Sequence, residues 1–102
     1  MIVELVYDPD CPNVDLARAE LVRALAEVGL EPSWRERRRG DADFPPELER
    51  FGSPAVLVDG EDVTGAAPAT SSCCRVYDGA RAPPAETIAR ALRRAIRVTA
   101  GT

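Results

Sequence analysis

Three cysteines, Cys11, Cys73 and Cys74, hold most of the chemistry open to this chain of 102 residues. The chain has no histidine, which excludes Ser-His-Asp and Cys-His catalysis, imidazole general bases and His-containing zinc sites. Catalysis would have to rest on thiols or carboxylates. Cys11 sits in Asp8-Pro9-Asp10-Cys11-Pro12-Asn13-Val14, between the apolar run Ile2–Tyr7 and an amphipathic segment from Asp15 to Val28. A strand that turns at once into a helix places Cys11 at the helix N-terminus. Free backbone N–H groups and the macrodipole favour a thiolate there. Asp8 and Asp10 flank the cysteine; as loop caps or solvated charges they oppose that effect. Val14 stands where a paired redox cysteine would stand, so this motif holds no dithiol.

Cys73 and Cys74 lie in a long, small-residue-rich stretch from Gly65 to Pro83. Either one can serve as a resolving thiol for Cys11 if the fold brings them together. All three thiols, with no histidine competing, also suit a soft, mercury-like ion better than zinc. As bland alternatives, Cys11 is a buried filler, and Cys73 and Cys74 are inert loop residues or close a strained vicinal disulfide.

The elements that must position these thiols follow in order. Ile2–Tyr7 reads as a buried strand. The next helix has Pro12 in its first turn, Asn13 or Asp10 as cap, Leu21, Val22, Leu25 and Val28 on one face, and Gly29 as its stop. Leu30–Arg37 reads as a second strand anchored by Trp34. Arg37-Arg38-Arg39-Gly40-Asp41 reads as a solvated strand end or, as the sharper alternative, a clamp for an anionic substrate. Pro45–Phe51 reads as a short helix with Leu48 and Phe51 inward. Ala55–Val58, Asp59-Gly60 and Glu61–Val63 form a strong hairpin signal. Pro54 precedes the buried strand, a place that suits a residue without an N–H and admits a cis bond. Cys74–Tyr77 reads as a minor edge element. Pro83-Pro84 opens a final helix with Ile88, Leu92, Ala95 and Ile96 on one face and Arg90, Arg93, Arg94 and Arg97 outside.

The whole chain, 1–102, reads as one α/β domain: β-α-β-α-β-β-α, a four-stranded mixed sheet with helices on both faces. All 13 basic residues are arginine, and the net charge of −4 argues against general nucleic-acid binding. No apolar run has the length of a membrane span, and no secretory leader pattern stands at the N-terminus, so a cytoplasmic setting is expected. Thiols there are more often reactive, ligating or buried than structural staples.

Asp10-Cys11-Pro12-Asn13-Val14 at the first strand–helix junction and Gly52-Ser53-Pro54-Ala55 before the hairpin resemble the thioredoxin-like superfamily. With Cys74-Arg75-Val76-Tyr77, the chain is similar over nearly its whole length to short bacterial thioredoxin-like proteins labelled alkylmercury-lyase-like or mercury-resistance-associated. The resemblance implies a thioredoxin-like fold in which a cis Pro54 faces the cysteine loop. Pro12, Ser53 and Pro54 would then line the substrate site. It departs from the pattern at Val14 and in lacking the usual tryptophan ahead of the first cysteine.

The sequence fits three functions. One is thiol–disulfide exchange on a small-molecule or protein disulfide, through Cys11 with Cys73 or Cys74 resolving and no cofactor. Another is soft-metal binding by Cys11, Cys73 and Cys74. The third is a redox-inactive binding module, for which a homodimer is one allowed assembly.

Overall fold

The computed structural model describes residues 1–51, 53–64 and 82–100. Cys73, Cys74 and the edge element expected at Cys74–Tyr77 lie outside the described residues. Four strands form one mixed sheet in the order β2-β1-β3-β4: β1 (Val3–Tyr7), β2 (Arg35–Arg38), β3 (Ala55–Val58) and β4 (Glu61–Asp62). β1 runs parallel to β2 and antiparallel to β3, and β3 pairs antiparallel with β4. Two helices accompany the sheet, α1 (Val14–Val28) and α2 (Ala85–Ala100). The α/β class and the four-stranded mixed sheet expected from the sequence are present.

Alternation along the two central strands sorts side chains to two faces. Val3 and Leu5 of β1 and Val56 and Val58 of β3 join Ala17, Leu21, Ala24 and Leu25 of α1 and Ile88, Ala89 and Leu92 of α2 in one buried cluster. Val6, Ala55 and Leu57 point the other way, onto Leu48, Phe51 and Phe44. Both α-helices therefore cover one face. The other face is closed by a single 3₁₀ turn, Pro46–Arg50, where the sequence suggested a helix. Between Pro46 and Phe51 the chain is too short to repay α-helix nucleation, and one tight turn already buries Leu48 and Phe51.

Local chemistry explains most boundaries. Gly29 adopts a left-handed φ of 85° and ends α1; its N–H donates to Ala26 O, and the Leu30 N–H reaches back to Leu25 O. That pair of bonds is a Schellman motif. Asp59 (φ 51°) and Gly60 (φ 83°) both have positive φ, the conformation a two-residue hairpin turn of the primed type requires. The second strand is shorter than its sequence suggests, beginning at Arg35 and not at Leu30. Pro32 supplies no N–H, and the Ser33 N–H turns back to Glu31 O at 2.8 Å, so the chain cannot pair with β1 until it has passed Trp34. Trp34 is half-buried against the helix-side cluster. The expected helix faces hold for Leu21, Leu25, Ile88 and Leu92, whereas Val22 and Ile96 are exposed.

α1 and α2 meet along a seam of small residues, with Ala17, Ala24 and Ala89 fully buried beside Leu21, Ile88 and Leu92. At the start of α2, Pro83 and Pro84 offer no N–H, and the first available donor, that of Ala85, is met by the Glu20 carboxylate of α1 at 2.9 Å. One helix thus caps the other. Replacing Glu20 by alanine should lower stability by about 1 kcal/mol, read from the urea midpoint at unchanged transition slope.

Candidate functional site

Asp8 follows β1 and opens the loop that bears Cys11. Its carbonyl accepts the Cys11 N–H at 3.1 Å, closing a β-turn with Pro9 at the second position. Pro12 and Asn13 form a further turn, and α1 begins at Val14. Asn13 is the cap by position: its carbonyl takes the Ala17 N–H at 3.1 Å, but its side chain makes no capping bond. Cys11 therefore lies two residues ahead of the cap, and Pro12 stands outside the first turn where the sequence placed it. The reason is the double proline, which spends the residues between strand and helix on turns. The helix dipole acts mainly within the first turn, so its hold on this thiol is weaker than an adjacent cap would give. Cys11 is a free cysteine with 9% of its surface exposed, and it belongs to the helix-side cluster with Val14, Ala82 and Ala85.

The second loop of interest is tied to the first by a direct bond. The Asp8 N–H donates to Ser53 Oγ at 2.9 Å, and Ser53 is fully buried. The Ser53–Pro54 peptide is cis, as the position allowed. Of the residues singled out in the sequence, Cys11, Pro12, Ser53 and Pro54 thus fall on two adjoining loops at the same end of β1 and β3. Cys73 and Cys74 lie outside the described residues. Among the described residues, no group of three or more potential ligands could hold a metal ion.

Arg39, read from the sequence only as part of a charged run, borders the Cys11 loop. Its Nε donates to Asp8 Oδ1, its Nη1 to Glu49 Oε2 at 2.8 Å, and its Nη2 to the Phe51 carbonyl at 2.7 Å. Its backbone N–H meets Tyr7 O at 2.8 Å, and its guanidinium lies 5.4 Å from the centre of the Phe44 ring. The Arg39 and Asp8 side chains are only 15% and 13% exposed. Burial works against the Arg39 charge, but the hydrogen bonds to Asp8 and Glu49 outweigh it and hold its pKa above the ordinary arginine value. Arg37 pairs with Glu4 at 2.8 Å. The arginine run is therefore neither a solvated strand end nor an open anion clamp at Arg37 and Arg39; both guanidiniums are spent on acids of β1 and its following loop. Only the Arg-x-Arg spacing on a strand, which points alternate side chains to one face, hinted at this.

On the helix side of the same sheet end, Glu36 takes two hydrogen bonds from Arg18, each 2.8 Å, one from Trp34 Nε1 at 3.2 Å and one from Tyr7 Oη at 3.4 Å. Arg18 also lies over the Tyr7 ring at 5.5 Å and pairs with Asp15 at 2.8 Å. The cluster ties the first turns of α1 to β1 and β2. A separate groove of about 290 Å³ lies on the opposite face, bounded by Ile2, Glu4, Arg35, Leu48 and Gly60, and takes in no residue of the thiol loop.

Comparison with models of protein families, with curated proteins and with solved structures finds no match to this chain. Among the described residues, no helix is long and apolar enough to cross a membrane.

The hydrogen bond from Arg18, followed by those from Trp34 and Tyr7, holds the Glu36 carboxyl below its ordinary value, against the opposing effect of burial. A pKa lower in the folded state than in the unfolded one stabilises the fold above the unfolded value. That stabilisation is lost as pH falls through the folded value. Glu36→Gln should therefore flatten the acid side of the stability profile, seen as a smaller fall in thermal midpoint between about pH 7 and about pH 3 than the parent shows.

Proposed function

We propose that the chain is a thioredoxin-like thiol protein that exchanges disulfides through Cys11. The strand order, with β1 between a parallel and an antiparallel neighbour and a cysteine loop leading into α1, supports this reading. Its main support is the bond from the Asp8 N–H to Ser53 Oγ, which holds the Cys11 loop against the Ser53–Pro54 loop. An extended substrate lying along the Ser53 backbone would then present its disulfide to the thiol.

In the proposed step the Cys11 thiolate attacks one sulfur of the substrate disulfide. A new S–S bond forms, and the other sulfur leaves as a thiolate and takes a proton from solvent. A second thiol, Cys73 or Cys74, then attacks the Cys11 sulfur and releases the remaining substrate thiolate. The protein dithiol becomes a disulfide, and two electrons pass to the substrate. The setting expected for this activity is cytoplasmic, and no cofactor takes part.

One observation favours a second reading, a redox-inactive binding module. Cys11 is nearly buried and stands two residues ahead of the helix cap, so access and dipole both favour the thiol less than a solvent-facing cap position would. Capture of a soft, mercury-like ion as cargo needs Cys73 and Cys74 beside Cys11 and has less to rest on.

The readings separate in a turnover assay on a small aromatic disulfide. With a thiol reductant supplied to re-reduce the protein, the parent should turn it over, and Cys11→Ser should lose most of that rate, because serine offers no comparable nucleophile near neutral pH and only the background reaction of Cys73 and Cys74 remains. Full activity in Cys11→Ser would end the exchange reading. A parent no faster than solution thiol would favour the binding module.

A further inference from the structure

We infer that Arg39 is a positioning residue for the Cys11 site, holding the chain that enters Ser53–Pro54 against the loop that carries the thiol. The inference rests on the exchange reading above and adds a device by which the two halves of that site keep register.

Two ties join these loops. One is the direct bond from the Asp8 N–H to Ser53 Oγ. The other runs through Arg39, which grips the Asp8 carboxylate with Nε and the Phe51 carbonyl with Nη2. Phe51 lies two residues before Ser53, so the guanidinium fixes the segment immediately upstream of the loop while the serine hydroxyl fixes the loop itself. A third donor, Nη1, holds Glu49 and keeps the 3₁₀ turn under the same clamp. The planar fork supplies these divergent donors in a fixed geometry, and a lysine ammonium cannot span the same acceptors.

Three features separate positioning from direct participation. The Arg39 side chain is only 15% exposed. Its Nε, Nη1 and Nη2 all point at protein acceptors, which leaves it poorly placed to take a substrate anion. Its contacts also lie on the 3₁₀ side of the sheet with Phe44 and Phe51, whereas Cys11 belongs to the helix-side cluster. Arg39 can therefore reach the thiol only through the Asp8 turn. A reagent that needs nothing but the sulfur should not sense it, whereas a substrate that must lie along Ser53 should.

The test uses the full chain with Cys73 and Cys74 changed to serine, leaving Cys11 as the one thiol. Two second-order rates are read: alkylation by iodoacetamide, and attack on an extended peptide whose cysteine is capped with a thionitrobenzoate that absorbs on release. Arg39→Gln should slow attack on the peptide by about tenfold while changing alkylation by less than about twofold, the signature of lost alignment with intact thiol chemistry. Arg39→Lys retains the charge beside Asp8 and should give an intermediate loss on the peptide alone; it carries the test if the glutamine variant does not fold by circular dichroism. Equal loss in both rates would reduce Arg39 to a general structural brace, and no loss in either would remove it from the site; both results overturn the inference. A parent that attacks the peptide no faster than a Cys11→Ser control overturns the exchange reading and this inference together. Normal exchange by the parent with unaltered Arg39 variants overturns this inference alone.

Discussion

A largely buried guanidinium lets two proline-bearing loops from distant parts of the chain lie side by side. Taking the Arg39 charge out of water carries a desolvation penalty, and it is tolerable only because Asp8 and Glu49 supply carboxylates and Phe51 a carbonyl within reach. The arrangement is demanding in sequence: an acid at the end of β1, an arginine just past β2 and a 3₁₀ turn with its carbonyls facing back. Removing Arg39 would leave the largely buried Asp8 carboxylate without its charge partner. The same contacts set the end of β2, because the Arg39 N–H continues the pairing with Tyr7 where the strand proper stops at Arg38.

Elements encoded by short-range chemistry were legible in the sequence. Asp59-Gly60 specifies its turn through positive φ alone, Gly29 stops α1 for the same reason, and the unbroken apolar run Ala55–Val58 could only be an interior strand. What failed to show was set at long range. β2 is a run of charged residues, Arg-Glu-Arg-Arg, whose pairing is decided by β1 and not by any apolar period of its own. The fates of Arg37 and Arg39 depend on Glu4 and Asp8, which lie 33 and 31 residues earlier. The loop lengths around Pro9 and Pro12 also mattered: two turns displaced the start of α1 and carried Cys11 away from the cap where strand–helix adjacency had put it.

Cys11 occupies a position with two competing demands. As a small, weakly polar side chain it fills space beside Val14 and Ala85, which favours burial. As a nucleophile it needs its sulfur reachable and its charge stabilised. The loop answers the first demand more fully than the second. The turns around the sulfur are the part of the structure that the Ser53 hydroxyl and Arg39 hold in place through Asp8.

The charged side chains of β2 have a bearing on how the molecule behaves in a crowd. A sheet of four strands has two rims where a foreign strand could add. Among the described residues, one rim is β4, only two residues long, and the other is β2, four residues of which three are arginine. Neither offers a foreign strand a long apolar edge: β4 presents too little backbone to template growth, and β2 presents charge.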